Sequence, residues 1–304
     1  MYNFQSVRKD LIDISDQTYK ISSDLMDDST RVSIDRYGLL DPVDLLKKGD
    51  SFIPLKGHNK LLYLGAKSTL PEQIDARVFI EIDDAYFYNR LALKITRGEV
   101  GPVGRVRALM IFSGIFSIDS EKLKEIASEL LAIPDYIYES PYDLLNLPPG
   151  MLKYIDSKKV PFKIIRDILK LSDAARAALS LFLERRSVKI NIFKKLIDLL
   201  FDLSGVESED RFLEILNDIE LNDVETYAEI FELRYPHYSL QKKEANRLIG
   251  EISTGGVTVD FPEFFERDRF FLKIPVTSRD GEADLKKRME KIDAELILQL
   301  KEML

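Results

Sequence analysis

The sequence predicts a mixed α+β protein in three parts. Three observations carry this. Short apolar runs alternate with amphipathic stretches over residues 1–115, the pattern turns wholly helical over 116–205, and strand-like runs return within 206–304. With 304 residues, of which 45% are apolar, the chain can build two or three cores.

The elements follow in order. RKDLIDI (8–14), with Leu11, Ile12 and Ile14, reads as a strand, and DDSTRVSIDRYG (27–38) as a capped helix stopped by Gly38. PVDLL and SFIPL are short strands around the turn KKGD. GHNKLLYLGA (57–66) is a helix that opens on a glycine. ARVFIEI (76–82) is a strand, and DDAYFYNRLALKITR (83–97) a helix with Asp83 and Asp84 in its first turn. RGEVGPVGRVRALMIFSG (97–114) gives a glycine-punctuated loop, then a helix with Pro102 in its first turn. From 119 to about 203 the breaks fall at IPD, LPPG, the Val-Pro at 160–161 and LSD, which suits a helix-turn-helix bundle. The last part is helical over 207–252, strand-like at GGVTVDF (255–261) and RFFLKIPVT (269–277), and ends in a helix over 281–304. In that helix Leu285, Met289, Ile292, Leu296, Leu300 and Met303 recur every three or four residues. The spacing fits a coiled-coil seam between two copies, and equally a helix packed on the preceding strands.

Composition removes several functions. Cysteine is absent, which excludes disulfides, thiolate metal sites and cysteine nucleophiles. The two histidines, His58 and His237, argue against a zinc cage or a histidine triad. His237, in RYPHYS, reads as a turn residue with a surface or structural role. No apolar run approaches the ~20 residues of a membrane span, and MYNFQSVRKD is no signal segment, so a cytoplasmic protein is expected. The acid pairs Asp27–Asp28 and Asp83–Asp84 both sit at helix starts, where capping accounts for them better than catalysis does. No catalytic residue is assigned.

The net charge of −8 is unevenly spread. Residues 206–304 hold 14 basic and 23 acidic side chains, whereas residues 151–195 hold 12 basic and 4 acidic. Local patches decide where a polyanion docks. Lys159, Lys163, Arg166 and Lys170 are spaced to line one helical face, opposite Ile164, Ile165, Ile168, Leu169 and Leu171. Lys153, Lys158, Arg185, Arg186, Lys189, Lys194 and Lys195 extend the set if the helices pack together. This stretch is either a solvated face or a surface for the phosphate backbone of DNA, binding in a salt-sensitive and sequence-tolerant way. Residues 126–150 hold no Lys or Arg but do hold Glu129, Asp135, Glu139 and Asp143, with Pro141 inside the second helix near 134–146. Only Asn146 is a suitable major-groove reader, so sequence-specific reading by this helix is not expected.

Four stretches, in this order, resemble the ParB family of chromosome and plasmid partition proteins: SIDRYGLLDPVDLL (33–46), GHNKLLYLGA (57–66), LALKITRGEVGP (91–102) and LLNLPPGMLKYIDSKKVPFKIIRDILKLSDAARAALSLFL (144–183). The resemblance covers roughly residues 8–200. It implies a ParB/sulfiredoxin-like N-terminal domain (1–115), an all-α helix-turn-helix-type domain (116–205) and an acidic α/β C-terminal region (206–304) that dimerises. It also implies CTP or another nucleotide bound with a divalent metal, DNA as a partner, dimers that close as clamps, and a partition ATPase or other protein partner on the nucleoid. Gly57, Asn59 and Lys60 fall on the glycine and two arginines of the family's first box, and Arg97 on the arginine of its second. With His58, Lys94 and Thr96 they form the candidate nucleotide site.

The pattern also departs from the family's. Leu93 and Lys94 stand where its acid and amide are expected, Thr96 where its glutamine is, and Gly104 and Arg105 where its later acids are. Leucine cannot ligate Mg²⁺, so no metal site and no metal-dependent CTP hydrolysis by the family's route are expected. Lys94 could supply the missing counter-charge. Lys94, Arg97, Arg105 and Arg107 around Gly98, Gly101 and Gly104 also make the loop before the helix a candidate anion site. Three functions stay open: a weakly specific, nucleotide-regulated DNA-binding protein, a protein-interaction adaptor, and a phosphoryl-transfer or nuclease enzyme on this scaffold.

Overall fold

Four strands form the N-terminal sheet in the order β1-β4-β2-β3: β1 (Tyr2–Arg8), β2 (Val43–Lys48), β3 (Ser51–Lys56) and β4 (Gln73–Phe79). The protein is described here by a computed structural model covering residues 2–22, 26, 28–203, 209–253, 257–262, 265, 269–277, 280–290 and 292–304. β4 pairs antiparallel with β1 and parallel with β2, which pairs antiparallel with β3. Gly49 takes φ +64° in the two-residue turn between β2 and β3, a conformation that favours glycine. Val43, Leu45, Ile74, Ala76 and Val78 bury the face that packs with Leu61 of α2 (His58–Ala66).

Two strand expectations shift. The first strand is Tyr2–Arg8, not 8–14. At Lys9 the chain enters a short 3₁₀ turn and then returns to the sheet by an isolated bridge of Ile12 to Phe52, where the Asp13 N–H donates to the Phe52 carbonyl at 2.9 Å. β4 runs Gln73–Phe79 rather than 76–82, because its pairing with β1 runs from Arg8↔Gln73 to Tyr2↔Phe79 and leaves Ile80 exposed.

The helices follow their start and stop signals. α1 (Asp28–Tyr37) ends at Gly38, with φ +71°. α3 (Asp84–Thr96) is capped by the Asp83 carboxylate, which accepts from the Tyr86 N–H at 2.7 Å. Asp84 pairs with Lys122 at 2.7 Å, which holds its carboxyl below the usual range. Both acids are thus structural, while Asp27 lies outside the described residues. α4 (Pro102–Gly114) starts on Pro102 and is buried on most sides, with Val103, Val106, Leu109 and Phe112 inside. Phe112 packs edge-on against Phe87 of α3 at 5.1 Å.

The described residues between 120 and 217 are helical apart from short breaks. α5 (Ser120–Glu125) runs into one π-helical turn (126–130). Then come α6 (Asp135–Tyr138), α7 (Pro141–Leu145), α8 (Pro149–Ser157), α9 (Phe162–Leu169), α10 (Asp173–Arg185), α11 (Ile190–Leu203) and α12 (Glu209–Asn217). α8 packs on α10 through Gly150, where an added Cβ would lie 2.6 Å from Ser180 Oγ. Tyr154 donates to the Val188 carbonyl at 3.1 Å and packs on Phe193 of α11.

By its internal packing the chain divides into units 1–227 and 228–304, a division that falls within α13 (Asp223–Arg234). The second unit holds α14 (Pro236–Ser253), the antiparallel pair β5 (Thr258–Asp260) and β6 (Phe271–Lys273), α15 (Glu282–Glu290) and α16 (Ala294–Glu302). The terminal helix expected over 281–304 is therefore two helices. Asp293 caps the second through the Glu295 N–H at 2.8 Å. Leu296, Leu300 and Met303 pack on Ala245, Leu248 and Ile252 of α14. Of the two readings of that stripe, packing within the chain takes up this half, while Met289 is exposed. His237 is exposed in the first turn of α14, not in a turn.

Candidate functional site

β3 passes directly into α2 through Gly57, and that junction builds the site. Gly57 sits at φ +95°, and an added Cβ would lie 2.8 Å from Val43 Cγ1, so only glycine fits. The helix carries no side-chain cap at this end. Its first turn, His58, Asn59 and Lys60, lines a cleft of about 240 Å³, and the N–H groups of a helix's first turn have no acceptor within the helix. α3 closes the other side with Arg90 and Lys94, four residues apart and on one helical face. Tyr19, Phe87, Leu91 and Leu55 supply apolar wall. Five of the seven residues expected at a nucleotide site thus line one cleft: Gly57, His58, Asn59, Lys60 and Lys94.

The other two do not. Thr96 and Arg97 are exposed at the end of α3, where the Thr96 hydroxyl donates to the Ala92 carbonyl at 2.9 Å. Arg90 and Lys56 line the cleft without having been singled out in the sequence. Arg90 precedes Lys94 by one helical turn, a spacing that would have marked it.

The cleft is cationic. Among the described residues, Lys56, Lys60, Arg90 and Lys94 face one lining carboxylate, Asp41, which lies 4.0 Å from Lys60. Asp44, just behind, is 3% exposed and bonds Arg77 at 2.6 Å, with Arg90 farther off at 3.9 Å. Burial, then the nearby Arg90 charge, lowers the Lys94 ammonium pKa. His58 is 5% exposed, and its Nε2 has no hydrogen-bond partner among the described residues. Burial, followed by the charges of Lys20, Arg90 and Lys94 and against the opposing pull of Asp16, drops the His58 pKa to about 4.

A pH prediction follows. An unfolded histidine takes a proton below its ordinary pKa of about 6.5, whereas folded His58 resists until about 4. Its contribution is present above pH 6.5 and is lost as pH falls to 4. The shift corresponds to about 3 kcal/mol. Urea midpoints of the wild type and His58→Gln at pH 7.5 and pH 4.5 should show a smaller acid loss in the variant. Equal losses would contradict it.

A divalent metal does not fit this donor set. Among the described residues the cleft offers four cationic groups and one carboxylate already beside a lysine. Mg²⁺ wants hard oxygen ligands. Leu93 is exposed and does not line the cleft.

The glycine-rich loop before α4 is not an anion site. Its helix N-terminus already holds the Asp156 carboxylate, which accepts from the Gly104 N–H at 3.2 Å. An added Cβ on Gly101 would lie 2.2 Å from Asp156 Oδ1. Arg105 donates to the Leu131 carbonyl at 3.0 Å and Arg107 to the Ser22 carbonyl at 2.9 Å. Two of the three arginines expected to hold an anion here, Arg105 and Arg107, satisfy backbone oxygens instead, and the third, Arg97, is exposed.

The basic stretch is exposed but not one helix. Lys163 and Arg166 lie on α9 and Lys170 caps its end, opposite buried Ile165 and Ile168. Lys159 is off that face. It sits in the turn before Pro161 at φ +50°, with its ammonium 3.5 Å from where a Gly98 Cβ would be. Arg166 lies over the Tyr136 ring and Lys170 over Phe201. Lys153, Lys158, Arg185 and Lys189 are exposed. Arg186 is structural: it donates to the Asp218 carbonyl at 2.6 Å and stacks on Phe182. The expected second helix over 134–146 is broken into α6 and α7 at Glu139–Ser140, with Pro141 starting the second piece.

No family model matches the chain, and no curated protein does. Among solved structures the chain is similar to the crystal structure of the C-terminally truncated chromosome-partitioning protein ParB from Caulobacter crescentus complexed to the centromeric parS site. That match is at 15% identity, covers 64% of this chain and 97% of the other, and has a TM-score of 0.26. No helix among the described residues is long and apolar enough to cross a membrane.

Proposed function

We propose that this chain is a ParB-like protein that binds the DNA phosphate backbone with little sequence preference, under control of a nucleotide held in the α2–α3 cleft. The observation that carries the reading is convergence. The two boxes that resemble the ParB family are separated in sequence, yet Gly57–Lys60 and Lys94 line one cationic cleft. Exposed Lys153, Lys158, Lys163 and Lys189 support the DNA part. CTP is the first nucleotide to try. A homodimer joined through the C-terminal region, a partition ATPase or other protein partner, and a place on the nucleoid belong to the same proposal.

A mobility-shift titration tests it. Random duplex DNA should be retarded at low salt, and affinity should fall with log[salt] by a slope of about 0.9 per phosphate contacted. The triple variant Lys153→Ala/Lys158→Ala/Lys163→Ala should weaken all sequences alike and flatten that slope by about 3. No retardation at about 50 mM salt would end the DNA reading. A protein-interaction adaptor is then the second reading. It is favoured by the acidic and broken α6–α7 unit, where Tyr142 is exposed beside Asp143 and Glu139.

A further inference from the structure

We infer that the α2–α3 cleft takes a polyphosphate without a divalent cation, with Lys94 and Arg90 supplying the charge that a metal would otherwise bring. This deepens the nucleotide reading above and rests on it. The argument starts from the helix end. α2 begins at the cleft on a glycine that cannot be replaced without meeting Val43, and its first turn, His58–Lys60, lines it. A helix end alone is a weak site. Here a second feature points the same way: His58, almost wholly buried, lines the cleft, and its Nε2 has no hydrogen-bond partner among the described residues. An unsatisfied buried polar atom is costly unless a ligand or water meets it.

The charges decide what that ligand is. Among the described residues, Lys56, Lys60, Arg90 and Lys94 line the cleft against Asp41 alone. Asp44 offsets Arg90 only in part, because it lies at 3.9 Å from Arg90 and at 2.6 Å from Arg77. A divalent cation entering this cleft would meet four like charges. A polyphosphate would meet four opposite ones together with helix N–H donors. Lys94 and Arg90 share one face of α3, so they can meet successive phosphate groups as one unit.

The experiment is calorimetry on the full chain with CTP, once in EDTA and once in excess Mg²⁺. The affinities should agree within about threefold, a difference under 1 kcal/mol. Inorganic tripolyphosphate should compete with CTP in EDTA. Lys94→Ala should weaken CTP about tenfold or more in both buffers, the size of one charge-assisted bond, and Lys94→Arg should restore most of it. Thermal melts of both variants check that they fold. Binding only with Mg²⁺, no competition by tripolyphosphate, or unchanged affinity in Lys94→Ala would each overturn the metal-free mode while leaving the nucleotide reading intact. No heat with CTP, ATP, GTP or tripolyphosphate in either buffer would remove the nucleotide reading and this inference together.

Discussion

Asp44→Ala is expected to destabilise the first unit by about 3 kcal/mol, the lower end of the cost of breaking a buried ion pair from one side. Asp44 is 3% exposed on β2, between β3 and β4. Its Oδ1 accepts from Arg77 Nε at 2.6 Å, with Nη2 at the same distance, and its Oδ2 faces Arg90 at 3.9 Å. Removing the carboxylate leaves the Arg77 and Arg90 guanidinium groups without the anion they share. Both are partly accessible, at 29% and 17% of the side chain, so water recovers some of the loss. Asp44→Asn keeps the shape and drops only the charge. Urea denaturation should place Asn between wild type and Ala. A carboxylate facing the cleft from behind also weakens its field, so Asp44→Asn should bind CTP more tightly in calorimetry while being less stable. Loss of both together would mean that Asp44 holds the cleft's shape rather than its charge.

Gly101→Ala should cost a similar amount, about 2–4 kcal/mol, from overpacking plus loss of a helix cap. The new methyl group would stand 2.2 Å from Asp156 Oδ1 and 2.7 Å from its carbonyl oxygen. Asp156 would have to swing away, and the Gly104 N–H would lose its acceptor. Asp156→Ala alone should cost about 1 kcal/mol, as for other caps. In that background the added methyl group should cost less than in the wild type, because only the backbone oxygen is still close. A double-mutant cycle by urea unfolding reads this coupling. Strict additivity would show that the two residues do not act on each other.

The parts of the fold that local chemistry sets were legible in the sequence. Gly38, Gly49 and Gly57 sit where the chain needs positive φ, Asp83 caps α3, and Pro102 opens α4. The strand β1 was not. It lies at a sheet edge with Phe4 65% exposed, so it shows no buried alternation to find. The expected face through Lys159 is broken at Pro161, which starts a new helix and takes Lys159 out of register with Lys163 and Arg166. In the cleft, Gly57–Lys60 and Lys94 were named through resemblance rather than through spacing. Arg90 and the Asp44 pair behind it depend on which strands neighbour which helix, and no local pattern encodes that. The glycine loop misled for the same reason. It has the form of an anion-holding helix end, but its anion is the chain's own Asp156, 52 residues farther on.

The burial of α4 has a consequence for how such a chain can diverge. One side of the helix meets the aromatic cluster of Phe87 and Phe116, and the other meets α7 and α8. Drift at Val106, Leu109 or Phe112 is therefore felt by the strand-bearing and the helical parts at once, and neither can be exchanged as a cassette without repacking the other. Selection on folding alone would hold this helix steady.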